Sequence, residues 1–152
     1  MQRASHIAAA GTWTGVACDR AVLDYQGRHR RRTTLQCESG REVLLDLAAA
    51  VQLRHGDALL LDDGGLVEVH AAPEPLLELR TASATNLTRL AWHLGNRHVA
   101  AELGEAWLRI RPDHVLADLA RRLGATVIEV AAPFDPEPGA YSAHAHAAVL
   151  RP

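Results

Sequence analysis

Between Leu76 and Val130 the apolar residues switch repeatedly between strand-like and helical spacing, and that alternation limits the fold more than any other feature. Leu76–Ala82 reads as a strand. Residues 85–94 then place Leu87, Leu90, Ala91 and Leu94 at i, i+3, i+4 and i+7, one apolar helical face. Ser83 or Thr85 can cap the start, and Gly95 stands where a left-handed residue would end the helix. Arg97–Leu103 and Ala106–Ile110 read as strands joined at Gly104-Glu105. Pro112 stops the second strand, and Asp113 caps a helix whose predicted buried side is Val115, Leu116, Leu119 and Leu123. Gly124 ends it, and Thr126–Val130 is a final, mostly β-branched strand. The order is β-α-β-β-α-β, the split βαβ plan of ferredoxin-like domains.

The preceding half reads as short strands and turns. Residues 33–37 and 42–45 flank Ser39-Gly40, and residues 58–61 and 66–69 flank Asp62-Asp63-Gly64-Gly65, giving two hairpins. Leu47–Leu53 fits a helical turn or a loop equally well. Ala72-Pro73-Glu74-Pro75 reads as an extended boundary. After Val130, three prolines between Pro133 and Pro138 argue for a flexible arm. The expected fold class is therefore α+β: a small β domain over 1–74, a ferredoxin-like domain over 75–132 and a flexible histidine-containing tail over 133–152.

Composition removes several functions. All sixteen basic residues are arginine and the net charge is −2, which does not suit a protein held by phosphate backbones. The run Arg28-His29-Arg30-Arg31-Arg32 reads as a solvated loop between strands. The strands at 97–103 and 106–110 offer only Trp107 for base stacking, so RNA recognition is not expected. No run of about 20 apolar residues could span a bilayer, so a soluble cytoplasmic protein without membrane contact is expected. Cys18 and Cys37 lie too far apart for a zinc knuckle. No nucleophile elbow, zinc-protease or P-loop pattern occurs, and the first loop of the βαββαβ unit lacks the arginine of a phosphate cradle. An enzyme is not expected.

The remaining chemistry lies in histidines. His93 and His98 bracket Gly95 at the end of the first helix. His93 fits as a cover for that helix end, where the dipole also favours a cation. His98 is open to two readings, filler or metal ligand. His114 follows the cap Asp113, and His144 and His146 stand two apart in the tail. Nickel(II) accepts neutral imidazole readily. One ligand per chain cannot hold an ion, but a twofold axis supplies the same residue twice.

The run His93-Leu94-Gly95-Asn96-Arg97-His98-Val99, followed by Asp113-His114-Val115-Leu116 and by Pro133-Phe134-Asp135-Pro136-Glu137 with Gly139-Ala140-Tyr141, resembles the UreE family of urease accessory proteins. The resemblance covers the second half; the first half agrees only in being a small β domain. It implies a homodimeric nickel metallochaperone that delivers Ni(II) to apo-urease in a complex with the accessory GTPase, with Zn(II) or Cu(II) as competing ions. By position it implies that His98 is the ligand given by both chains near the dimer axis. His114 would be a peripheral metal-binding residue, and His144 or His146 would complete the shell. Three departures stand out. Ala100 replaces a proline common after this run, Arg111-Pro112 stands where some relatives carry histidines, and the tail holds two histidines in place of a long run. The competing reading is a metal-free dimeric interaction module on the same scaffold.

Overall fold

The first strand of the chain, β1 (Gln2–Ala8), lies in the middle of a sheet. In the computed structural model, which describes residues 1–138, it pairs in parallel with β4 (Glu42–Gln52) and antiparallel with β5 (Ala58–Leu61). With β2 (Asp19–Leu23), β3 (His29–Gln36) and β6 (Leu66–Ala71) they form a six-stranded sheet of order β2-β6-β5-β1-β4-β3. The outer strands approach each other: the Glu38 amide donates to the Arg20 carbonyl at 2.9 Å. The Asp19 carboxylate also accepts from the amide and hydroxyl of Ser39. The sheet thus curls towards closure around Ala4, Leu35, Val43, Leu45, Val67 and Val69, all buried.

Both predicted hairpins form, as β3–β4 and β5–β6. Residues 47–52 belong to β4, neither helical turn nor loop, and the pairing passes from Arg30↔Val51 to Arg32↔Asp46. That shift leaves residues 47–50 out of the β3 ladder, a bulge that kinks the strand. The arginine run is not a loop either. His29–Arg32 lie exposed on β3, while Arg28 is fully buried. The Arg28 amide closes the turn onto the Asp24 carbonyl at 3.0 Å, and its Nη1 donates to the Leu53 carbonyl at 3.1 Å.

The second unit begins at Pro73. It comprises β7 (Pro73–Arg80), α1 (Ala84–Asn96), β8 (Glu102–Leu103), β9 (Leu108–Ile110), α2 (His114–Arg122) and β10 (Thr126–Pro133). The sheet order is β10-β7-β9-β8, antiparallel throughout, which is the ferredoxin-like arrangement. Leu90 and Leu94 of α1 pack with Leu77, Leu79, Leu108 and Ile110 of the sheet. At roughly 1.5–3 kcal/mol for each fully buried leucine, this face accounts for much of what holds the unit together.

Details differ from the pattern. Pro73 and Pro75 start β7 instead of forming a linker, paired with Pro133 and Ala131 of β10. Proline fits there because β9 joins β7 only from Leu77 onward, leaving one side without a ladder partner. In α2 Leu116 and Leu123 pack against the core as the spacing predicts, but the buried residues are Ala117 and Ala120, and Val115 is exposed. The predicted cap forms: the Asp113 carboxylate accepts from the amides of Val115 and Leu116 at 2.9 and 3.0 Å. The Trp107 ring fills the space where a Cβ on residue 104 would stand, so the β8–β9 turn needs Gly104.

The sheet face that carries Glu78 bears a row of charges. In register across β7, β9 and β8 stand Glu78, Arg109 and Glu102. Glu78, 5% exposed, is bonded by Arg80 at 2.6 Å and Arg109 at 2.9 Å. Burial pushes the Glu78 carboxyl up, but the hydrogen bonds and charges of Arg80 and Arg109 outweigh it and hold the group below the usual glutamate range. A depressed value stabilises the fold above the unfolded-state pKa, about 4.3, and that contribution is lost as pH falls through the folded value. Glu78→Gln should therefore cost about 1–3 kcal/mol at pH 7. Urea unfolding of both proteins between pH 7 and pH 3 should show the gap closing on acidification; a gap independent of pH contradicts the ion-pair account.

Candidate metal centre

His98 takes the left-handed backbone conformation, φ 56°, and is the one non-glycine residue among those described with positive φ. α1 does not stop at Gly95 but runs through Asn96, with Arg97 as its C-cap. The His98 amide donates to the Gly95 carbonyl at 3.0 Å and the Val99 amide to the Leu94 carbonyl at 3.2 Å. This is the Schellman arrangement, with His98 at the position usually given to glycine. Val99 packs against the core that contains Leu94, the apolar contact that accompanies the motif. The motif fixes where the imidazole leaves the helix end, and His98 is exposed there. A left-handed non-glycine residue costs on the order of 1–3 kcal/mol, and such cost is concentrated at functional positions.

The chain returns past His98 through α2. His98, Val99, Arg111, Asp113 and Leu116 line a depression of about 460 Å³. His114, the first residue of α2, lines a second one of about 400 Å³ with Ala117, Arg121 and Glu129. Pro112 and Asp113 border both. His98 and His114 thus line different depressions, which share Pro112 and Asp113. Among the described residues no group of three His, Cys, Asp or Glu side chains is placed to hold a metal ion. His144 and His146 lie outside the described residues. His93 is half-buried in the last turn of α1, its ring edge-on to Trp92 at 5.1 Å. Trp92 is 64% exposed and lines an apolar groove of about 490 Å³ with Thr85, Thr88 and Arg89.

Elsewhere, Cys18 is exposed and Cys37 buried, and burial pushes the Cys37 thiol up, away from the reactive thiolate form. No helix among the described residues is long and apolar enough to cross a membrane. Two features at the site escaped the sequence pattern. One is the left-handed backbone of His98, which nothing local announces because glycine is the usual occupant. The other is the order of the segment after β10. Expected to be part of a loose arm, it is held at Glu137, whose amide donates to the Ala101 carbonyl at 2.9 Å, and Phe134 is fully buried.

Comparison with known proteins covers both units. Residues 2–72 match the family model for the UreE urease accessory protein N-terminal domain, and residues 74–149 match that for its C-terminal domain. Among similar proteins is the urease accessory protein UreE of Rhodopseudomonas palustris, 54% identical over 97% of this chain and 69% of that protein. The protein of the same name from a Bradyrhizobium species is 52% identical over 97% of this chain and 71% of its own length. That of Beijerinckia indica is 49% identical over 93% and 82%.

Proposed function

We propose, because the chain belongs to the UreE family of urease accessory proteins, that within urease maturation it carries Ni(II) and is not itself an enzyme. The observation that carries this reading is a histidine held at a left-handed helix end where glycine would be more stable. One imidazole cannot retain an ion, so the site is built by two chains, each presenting His98 near a twofold axis. His144 and His146 serve as additional ligands that come and go during hand-off. His114, which lines a different depression from His98, is a peripheral stop for an ion. Zn(II) and Cu(II) compete for such imidazole ligands, Cu(II) the more strongly.

A shared site of exposed imidazoles holds an ion without enclosing it, which suits transfer. The receiving partners in this reading are apo-urease and the accessory GTPase, in the cytoplasm. A metal-free dimerisation module would also use the ferredoxin-like sheet, but it gives no reason for an imidazole at the costly backbone position. Equilibrium dialysis against nickel, with sedimentation equilibrium on the same samples, tests the proposal. The expected result is a dimer binding one tight nickel ion per two chains. A monomer, or a dimer without tight nickel, overturns it.

A further inference from the structure

Two arginines of the basic run take no part in holding the first unit together. Arg28 is buried against the Leu53 carbonyl, and Arg32 lies 3.7 Å from the Asp46 carboxylate. Arg3 of β1 holds that same carboxylate at 2.9 Å. Arg30 donates to the carbonyl of its neighbour His29 at 3.2 Å. Among the described residues neither Arg30 nor Arg31 reaches a carboxylate. The facing strand explains why. Residues 47–50 of β4 stand outside the β3 ladder, and Ala48, Ala49 and Ala50 are exposed there. A methyl side chain can neither neutralise nor cover a guanidinium. Successive residues leave a strand on opposite sides, yet His29 to Arg32 are all exposed. This end of β3 therefore presents cations on both sides.

Four arginines, Arg3, Arg30, Arg31 and Arg32, thus stand around the single carboxylate of Asp46, in a chain whose net charge is −2. Like charges brought together in this way repel one another, and nothing in the fold repays it. We propose that the Arg30–Arg31 end of β3 is a docking surface for a carboxylate-rich segment of a partner protein. Charge complementarity selects that occupant. The planar guanidinium fork matches a carboxylate with two parallel hydrogen bonds, while the same charges keep off a second copy of this patch. Nucleic acid fits less well, because β3 carries no Phe, Tyr or Trp on which bases could stack. A lipid surface calls for large apolar side chains beside the basic ones, and the exposed neighbours here are alanines. The surface lies within the first unit and makes no use of nickel, so it stands or falls separately from the metal-carrying reading.

The test uses a fluorescently labelled octaglutamate peptide as probe, with binding to the full chain read by anisotropy. The unaltered protein should bind it at about 50 mM salt and progressively less well towards about 200 mM. Arg30→Gln with Arg31→Gln should weaken binding roughly three- to tenfold. Arg30→Lys with Arg31→Lys keeps the charge but loses the fork, and should fall between the two. Arg89→Gln with Arg122→Gln removes two exposed charges from α1 and α2 and should leave binding unchanged. Equal weakening by the two glutamine pairs would mean that binding answers only to net charge, and that overturns the proposal. So does failure of the unaltered protein to bind the peptide. A single-stranded oligonucleotide of eight phosphates held more tightly, and through the same two arginines, would make the patch a nucleic-acid surface instead. Urea unfolding of the Arg30→Gln, Arg31→Gln protein should match that of the unaltered chain. A loss of stability would show that these arginines serve the fold, and it too overturns the proposal.

Discussion

His98→Gly should abolish tight nickel binding and, at the same time, make the ferredoxin-like unit more stable. At φ 56° the imidazole occupies the C-terminal position of a Schellman motif, where glycine meets no Cβ penalty. Relief of that strain is worth about 1 kcal/mol. The metal effect is far larger. Changing a residue that merely orients a ligand typically costs 10–100-fold in affinity, so removing the proposed ligand itself should cost more than about a hundredfold. Urea unfolding and nickel calorimetry on the same protein separate the two effects. Undiminished nickel affinity would remove His98 from the site, and a loss of stability would contradict the strain argument. The opposite signs matter because a simple folding defect would lower both quantities.

Arg28→Ala should be the most damaging single change in the first unit. Arg28 is fully buried, and its guanidinium donates to the Leu53 carbonyl at 3.1 Å. Truncation leaves a cavity and strands a buried acceptor, together worth about 3–5 kcal/mol. Arg28→Met keeps most of the volume and should cost less, about 1–3 kcal/mol. Amide exchange in β3 and β4 reads both variants. Equal behaviour of Arg28→Ala and Arg31→Ala would show that burial at position 28 contributes nothing, since Arg31 is exposed on the same run.

That contrast also shows what the sequence could reveal. Five consecutive basic residues look like one solvated surface, yet the turn from Asp24 places the first inside and the strand carries the rest outside. No local pattern separates them, because the partner of Arg28 is Leu53, 25 residues away. The second unit was legible because its helices bury leucines at regular spacing and its strands follow in a fixed order. Leu90 and Leu94 stand where the periodicity put them. Gly95 misled because glycine is the common end of a helix, whereas here the helix closes on a Schellman pair further along. Parallel pairing of β1 with β4 and of β2 with β6 is written in no hairpin, and β1 and β2 have no turn-linked partner to announce them. Of the candidate ligands, His98 and His114 were visible as residue types at helix ends. That they line different depressions sharing Pro112 and Asp113 follows only from the fold.

The central place of β1 has a consequence for how the chain is made. It is synthesised before either of its neighbours, β4, beginning at Glu42, and β5, ending at Leu61. Until those residues have left the ribosome, both of its edges are open to any other strand. Pairings of such separation also close slowly, since loop entropy is spent before contacts form. β1 therefore waits for its second partner for roughly the time needed to add about 50 residues, several seconds at ordinary synthesis rates. The arrival of β5, not of β1, is the moment at which the first unit becomes safe from mispairing.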